Sequence, residues 1–183
     1  MSQAAVFFGT GYEEIEALTV VDILRRAGVD TTMVSVSEER KVTGSHAITV
    51  EMDAVIAEVD FESLDMIVLP GGMPGTANLE ACEALMEQVD AFASQDRIVA
   101  AICAAPSILG HRGILKGRKA CCYPSWESHL EGAVVLEQPA VIDGNLVTGR
   151  GMGAAVPFAL AIIERLQGKD AACRMAENIV YRA

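Results

Sequence analysis

The stretch IVAAICAAPSIL, residues 98–109, is the part of the sequence that most constrains the fold. Its first half is a short uninterrupted apolar run, which is typical of a strand buried on both faces of a sheet. Its second half favours a helix that opens over 104–109, so Cys103 lies where the strand ends and the helix begins. A buried strand that runs directly into a helix predicts a parallel sheet covered by helices.

The same alternation of strands and helices extends along the chain in both directions. The predicted strands are 4–9, 31–37, 64–72 and 97–103, followed by short strands within 119–123, 133–137 and 140–149. The predicted helices are 13–27, 78–93, the segment from 104, 154–166 and 170–180, and 41–50 is predicted to be a small hairpin. Because no linker, repeat or low-complexity tract interrupts this pattern, we expect a single α/β domain over residues 1–183.

Charge and composition exclude several classes of protein. The formal net charge is −11, and no basic tract offsets it, so the chain should repel the phosphates of a nucleic-acid partner. Charged residues interrupt every apolar run before it reaches the length of a membrane helix, so no membrane partner is expected. The N-terminal stretch turns acidic and lacks the basic region of a secretion signal, which favours a cytoplasmic location.

The cysteines indicate reduced thiols, and one of them stands out by position. The five are Cys82, Cys103, Cys121, Cys122 and Cys173, an odd number without a C-x-x-C pair. This pattern argues against a disulfide framework and a zinc site, so no bound metal is expected. The sulfur of Cys103 should lie near a helix N-terminus, where the helix dipole lowers the pKa of a thiol. The alternative is an inert core cysteine.

Four loops compete for the position of a functional site, because ligands of open α/β sheets bind beyond the carboxyl ends of the strands. They are 9–14, 70–75, 103–106 and 149–153. The first is not a dinucleotide motif, since Glu13 and Glu14 would repel a pyrophosphate at the helix N-terminus, and no nucleotide cofactor is expected. Glu16, in the same helical turn, could point back over the neighbouring loops.

The remaining loops supply candidates for the lining of a pocket. The glycines at 71 and 72 allow backbone N–H groups to turn inward, as an anion site requires. The candidate lining residues are Gly71, Tyr123, Arg150, Gly151 and Met152. His46, His111 and His129 are candidate bases for a thiol, but no spacing ties any of them to Cys103.

Four segments together resemble the ThiJ/PfpI superfamily: GYEEIEALTVVDILRRAG, DMIVLPGGMPG, IVAAICAAPSIL and GRGMGAAVPFALAII. The resemblance covers essentially the whole chain and implies a flavodoxin-like three-layer α/β/α sandwich, usually assembled as a homodimer. It implies that Cys103 is the nucleophile and that a protonated Glu16 donates a hydrogen bond to its sulfur. It also implies that the backbone N–H groups of Gly72 and Ala104 form an anion-binding hole.

The resemblance implies a cofactor-independent enzyme of the glyoxalase III type, which converts α-oxoaldehydes such as methylglyoxal to hydroxyacids, or a deglycase acting on glycated adducts. A redox-sensing, stress-protective chaperone that acts through oxidation of Cys103 is the alternative. A cysteine peptidase or amidase is less favoured, because Ala104 stands where the hydrolytic branches commonly have histidine or glycine, so no histidine follows Cys103. Tyr123 stands where the human member of the family has a pocket histidine, and Met152 where a proline is familiar.

Overall fold

The computed structural model describes residues 2–182. The strands are Gln3–Phe8 (β1), Asp30–Ser35 (β2), Lys41–Thr43 (β3), Thr49–Glu51 (β4), Ala54–Val55 (β5), Met66–Leu69 (β6), Ile98–Ile102 (β7), Lys119–Ala120 (β8), Val134–Val135 (β9), Ala140–Asp143 (β10) and Leu146–Gly149 (β11). The α-helices are Glu14–Arg26 (α1), Gly75–Glu80 (α2), Glu83–Ser94 (α3), Pro106–His111 (α4), Ala155–Gln167 (α5) and Lys169–Asn178 (α6). Within residues 2–182, no helix has the length and apolar character needed to cross a membrane.

Seven of the strands form one sheet in the order β10-β11-β7-β6-β1-β2-β5. Every neighbouring pair is parallel except β10 and β11, which form an antiparallel hairpin at one edge. β3 pairs with β4 in a separate antiparallel hairpin, as the sequence predicts for 41–50. β8 and β9 form a small parallel pair outside the main sheet.

The sheet is covered on both faces, and the alternation of side chains along β1 illustrates this arrangement. Ala4, Val6 and Phe8 pack into a core with residues of α1, α5 and α6. Ala5 and Phe7 point to the other face, where they pack with residues of α2, α3 and α4. Each face of the sheet therefore has its own buried core, and the predicted three-layer α/β/α sandwich is confirmed.

The predicted helix over 78–93 is wrong in one respect, because the structure divides it into α2 and α3. Cys82 has an extended backbone at the break, between Leu79 at the end of α2 and Leu85 in α3. Both leucines are fully buried. Leu79 and Leu85 belong to the same buried core on one face of the sheet, so each of the two short helices contributes a side chain to it.

The predicted strand at 119–123 is shorter than expected and ends at Ala120. The backbone N–H of Cys121 donates instead to the Thr148 hydroxyl, at 2.9 Å. A side chain of β11 therefore accepts the hydrogen bond that a neighbouring strand would otherwise accept through its backbone. Both Cys121 and Cys122 are buried outside any strand. Their prediction as strand residues is therefore wrong.

Gly149, the last residue of β11, provides a test of how tightly α5 packs on the sheet. A methyl group at this position would lie 2.9 Å from side-chain atoms of both Ile102 and Phe158, which are fully buried. We expect Gly149→Ala to lower the free energy of unfolding by about 1–3 kcal/mol, because the core must be overpacked or displaced. Urea denaturation followed by circular dichroism measures the change.

The matched control is Gly153→Ala, since a methyl group there has no neighbour within 4 Å. We expect its unfolding free energy to stay within about 0.5 kcal/mol of the wild-type value. Equal effects of the two substitutions would contradict the packing argument.

Candidate active site

The candidate site lies at the carboxyl ends of three parallel strands, at the point where the order of the strands in the sheet reverses. β1 pairs with β2 on one side and with β6 on the other, so the loops that follow β1 and β6 diverge there. β7 is next to β6 and ends immediately before Cys103. Crevices at such switch points are the usual ligand sites of open α/β sheets.

Cys103 forms a sharp elbow between β7 and α4. Its backbone φ is 67°, which is a left-handed conformation that non-glycine residues rarely adopt. Two hydrogen bonds hold this conformation: the Cys103 N–H donates to the Gly149 carbonyl at 3.0 Å, and the Tyr123 N–H donates to the Cys103 carbonyl at 2.9 Å. A strained backbone of this kind costs roughly 1–3 kcal/mol, which the two hydrogen bonds help to offset. Cys103 is half-buried.

Glu16 reaches the same point from α1 and is buried, with 1% of its surface exposed. Its Oε2 atom accepts a hydrogen bond from the Gly71 N–H at 2.9 Å. Oε1 has no hydrogen-bonded N or O partner among the residues that the structure describes. The carboxyl group lies close enough to the Cys103 thiol for each group to shift the pKa of the other.

Gly71 is the contact between these two side chains. A methyl group on Gly71 would lie 2.6 Å from Cys103 Cβ, 2.7 Å from Glu16 Oε2 and 2.9 Å from the Ile102 carbonyl oxygen. No side chain can fit in this space without moving Cys103 or Glu16. The absence of a side chain at position 71 therefore permits Cys103 and Glu16 to approach each other.

Burial raises the pKa of Glu16 from its ordinary value of 4.5 to about 7. Hydrogen bonds with Cys103 and Gly71 lower this pKa, and the nearby charge of Glu13 raises it. Burial is the largest of these effects because a desolvated carboxylate has lost its hydration. Near neutral pH, Glu16 therefore exists in substantial amounts as the neutral acid, which can donate a hydrogen bond.

The sequence predicts that the dipole of α4 lowers the pKa of Cys103, and this prediction is wrong. The pKa lies above its ordinary value. Burial is the largest cause, and the charge and hydrogen bond of an ionised Glu16 act in the same direction. The N–H groups of Ala104 and Gly72 oppose this rise by stabilising the thiolate. A proton on Glu16 removes the repelling charge and supplies a donor, so protonation of the acid favours ionisation of the thiol.

The anion hole that the resemblance implies at Gly72 and Ala104 stays a prediction, and it is supported by the backbone N–H groups of these two residues, which lower the pKa of the Cys103 thiol. Gly72 has a φ of 93°, in the region that favours glycine. A side chain at this position would also lie 2.4 Å from the Glu13 nitrogen and 2.7 Å from the Gly11 carbonyl oxygen. The close approach of the two loops thus depends on the missing side chain, and it brings the N–H group to the sulfur.

The other predicted lining residues do not all lie at the thiol. The half-exposed Tyr123 ring lies against Gly151, where a methyl group would be 3.0 Å from Tyr123 Cδ2. Met152 begins the short 3₁₀ helix that follows Gly151 and is half-exposed. The Arg150 guanidinium lies instead 3.6 Å from the Glu137 carboxylate. The sequence did not predict that the Gly149 carbonyl accepts the hydrogen bond from the Cys103 N–H, because every residue type has the same backbone acceptor.

Glu14 has a structural role that the sequence did not reveal. It accepts hydrogen bonds from the His46 backbone N–H, at 2.7 Å, and lies 3.0 Å from His46 Nδ1. Burial alone would raise the pKa of Glu14, but its hydrogen bonds with His46 and Ser45 lower it to about 2. The carboxylate thereby fastens the β3–β4 hairpin to the start of α1, beside the site.

The Glu13, Glu14 and His46 side chains also form a group with the residue types of a metal site, with their ligand atoms within 4.8 Å of one another. In the structure these atoms bond one another and the Ser45 hydroxyl. Their arrangement is thus fully explained by the fastening of the hairpin.

The elbow cysteine, the buried acid and the glycine-rich loop beside them can be compared with known proteins. The family model described as the DJ-1/PfpI family matches residues 2–165. The chain belongs to the DJ-1/PfpI family. This result confirms the resemblance that the four sequence segments predicted.

Individual members of the DJ-1/PfpI family are similar over most of this chain. DJ-1 homolog B of Arabidopsis thaliana is 37% identical over 174 residues, which are 94% of this chain and 40% of that protein. The chain spans less than half the length of this relative and of DJ-1 homolog A of the same plant, of which it covers 45%. The glutathione-independent glyoxalase DJR-1.2 of Caenorhabditis elegans is 31% identical over 159 residues, covering 86% of this chain and 84% of that protein.

Among solved structures, the oxidized DJ-1 of Toxoplasma gondii superposes with a TM-score of 0.95 at 33% identity, and all of both chains is covered. The DJ-1 fold is therefore shared from end to end.

The raised pKa of Glu16 predicts a pH-dependent stability that Glu16→Gln should remove. The folded protein holds a proton that the unfolded chain releases between pH 4.5 and about 7, so the wild-type free energy of unfolding should fall across this range. Glutamine does not titrate. The difference in the free energy of unfolding, variant minus wild type, should therefore rise by up to about 3 kcal/mol from pH 5 to pH 8. Urea denaturation at both pH values measures the difference.

The exposed Glu62 supplies the control, because Glu62→Gln removes a carboxylate that is not buried. Its unfolding free energy should follow the wild-type curve. If the Glu16→Gln and wild-type curves stay parallel from pH 5 to pH 8, Glu16 is not a buried titrating acid.

Proposed function

We propose that this protein is a cofactor-independent glyoxalase of the glyoxalase III type, which converts methylglyoxal and related α-oxoaldehydes to hydroxyacids. The observation that carries the proposal is the buried contact between the Cys103 thiol and a Glu16 carboxyl whose pKa is about 7. The reaction needs a nucleophile for the aldehyde and one group that both gives and takes protons. A carboxyl group with a pKa near neutrality performs both tasks.

The first step is addition of the Cys103 thiolate to the aldehyde carbon, C1. A carbon–sulfur bond forms, and the carbonyl electron pair moves to the oxygen, which becomes negatively charged. In this proposal the N–H groups of Gly72 and Ala104, which lower the pKa of the thiol, stabilise this oxyanion. The neutral Glu16 then protonates the oxyanion, giving a hemithioacetal and a Glu16 carboxylate.

The second step is a proton transfer within the bound substrate. The Glu16 carboxylate removes the hydrogen on C1 as a proton and returns it to the ketone carbon, C2, while the C1 hydroxyl proton passes to the C2 oxygen. C1 is oxidised by two electrons and C2 is reduced by two, so no external oxidant or cofactor is needed. Water then cleaves the resulting thioester, which releases lactate and restores the Cys103 thiol and the starting proton balance.

The similarity to the Caenorhabditis elegans glyoxalase supports this reaction class. Tyr123 is half-exposed and its N–H bonds to the Cys103 carbonyl, so the elbow lies near the protein surface, where an aldehyde attached to a larger molecule could approach. The proposal therefore extends to early glyoxal adducts of proteins or nucleotides, which is the deglycase activity. The homodimer and the cytoplasmic location that the sequence favours stay predictions.

A redox sensor or stress-protective chaperone is the second candidate function. Oxidation of Cys103 to the sulfinate adds two oxygens, which could accept hydrogen bonds from the neutral Glu16 and from the anion hole. The similarity to an oxidized DJ-1 favours keeping this function. A Cys-His hydrolase receives less support, since no histidine of the described residues hydrogen-bonds to Cys103.

The glyoxalase proposal predicts lactate formation from methylglyoxal that depends on both side chains. We expect Cys103→Ala to reduce lactate production to background, because no carbon–sulfur bond can form. Glu16→Gln should lower kcat by roughly 10²–10⁴-fold, the usual contribution of a general acid and base. Enzymatic measurement of lactate over time follows the reaction.

Cys173→Ala is the matched control, because Cys173 is an exposed thiol on α6. It should retain wild-type turnover. The proposal fails if wild type forms no lactate above background, or if Cys103→Ala retains full activity.

The redox alternative is tested by mass spectrometry after mild peroxide treatment. A gain of two oxygens on Cys103, at peroxide levels that leave Cys173 unmodified, would support a sensor. Unselective oxidation of the exposed Cys173 before Cys103 would contradict it.

A further inference from the structure

Two of the three histidines of the chain meet on the side of the molecule formed by α2 and α4. His111 is the last residue of α4, and His129 ends the 3₁₀ turn Glu127–His129. Although 18 residues separate them in sequence, His111 Nε2 lies 3.1 Å from His129 Nδ1. The two rings meet edge to face, with their centroids 5.3 Å apart.

The backbone is built to bring these two rings together. A methyl group on Gly110 would lie 2.0 Å from the His129 carbonyl oxygen and 2.9 Å from the Leu130 Cα, so the missing side chain lets the turn lie directly on α4. The half-buried Trp126 packs its ring against the His129 ring, at 5.0 Å between centroids. Neither imidazole is therefore a freely rotating surface group.

Glu80, at the end of α2, fixes the orientation and tautomer of His111. Its Oε1 atom lies 2.7 Å from His111 Nδ1. A carboxylate at that distance holds a proton on Nδ1, which leaves the lone pair of Nε2 pointing at His129. The same carboxylate–histidine arrangement supports most histidine ligands of protein-bound metals.

The separation of the two facing nitrogens also suits a shared metal ion. Two histidine nitrogens that bind one tetrahedral Zn²⁺ at 2.0–2.1 Å are about 3.3 Å apart. The observed separation is 3.1 Å, so the two nitrogens need to move apart by only a few tenths of an ångström. The ion would lie to one side of the line that joins the nitrogens, and the two rings would rotate to direct their lone pairs at it. The Glu80 charge favours a cation there.

We propose that His111 Nε2 and His129 Nδ1 bind a divalent transition-metal ion of the zinc class, with water completing the coordination and Glu80 as the carboxylate behind His111. The ion would link the end of α4 to the turn that follows Tyr123. Both segments lead away from Cys103, so metal binding would stabilise the wall of the site without touching the thiol. This proposal does not depend on the glyoxalase activity.

The experiment is calorimetric titration of the full chain with ZnCl₂ in a buffer that does not bind metal. We expect one Zn²⁺ per chain at this site, with His111→Ala and His129→Ala each weakening binding at least tenfold. Glu80→Gln should weaken binding by roughly 10–100-fold, as is usual when a carboxylate behind a histidine ligand is removed. Circular dichroism shows whether each variant is folded, and His111→Gln and His129→Gln replace any variant that is not.

Two controls separate this site from the other groups that could bind zinc. His46→Ala alters the Glu13–Glu14–His46 group, and Cys103→Ser removes the thiol of the site. Neither substitution should change the affinity of the chain for Zn²⁺ at His111 and His129. Loss of binding in either control instead of the His111 and His129 variants would overturn the proposal, as would the absence of any zinc binding to the wild-type chain.

Cu²⁺ provides a second readout that a merely structural role would not produce. The electron paramagnetic resonance spectrum of the Cu²⁺-loaded chain should have hyperfine structure from two imidazole nitrogens, reduced to one in either alanine variant. A spectrum unchanged by both substitutions would contradict the assignment of these two ligands.

Discussion

The burial of one carboxyl group against one thiol is the constraint on which the candidate site depends. Glu16 comes from α1, Cys103 from the end of β7, and the Gly71 N–H from the loop after β6. These elements are far apart in sequence and meet only because the parallel sheet places the ends of β1, β6 and β7 together. The site is therefore a property of the whole sheet, and a change in strand order would dismantle it.

The electrostatics of the pair follow from competition between burial and local dipoles. The two N–H groups at the sulfur favour the thiolate, yet burial and the carboxylate beside it outweigh them. Protonation of Glu16 shifts this balance toward the thiolate, because the neutral acid can donate a hydrogen bond to the sulfur. Glu14, two residues earlier, has the opposite behaviour, because hydrogen bonds from His46 and Ser45 overcome its burial. Similar burial thus gives two acids with different protonation at neutral pH.

Much of the fold could be predicted from the sequence, because the apolar strands and amphipathic helices are strongly periodic. The position of Cys103 at a strand–helix junction could also be predicted from the sequence. The break at Cys82 and the contact between His111 and His129 were not, since both arise from packing between distant segments. The direction of the Cys103 pKa also required the structure, because a helix dipole is visible in sequence whereas desolvation is not.

The close contacts at Gly71 and Gly72 leave no space for change beside the thiol. A side chain at Gly71 would displace Cys103 or Glu16, and one at Gly72 would displace the Gly11–Glu13 backbone. Tyr123 and Met152 are half-exposed and carry no such restriction. Sequence change in this architecture should therefore be excluded at the two glycines and tolerated at Tyr123 and Met152, so that the surface can vary while the geometry around the thiol stays fixed.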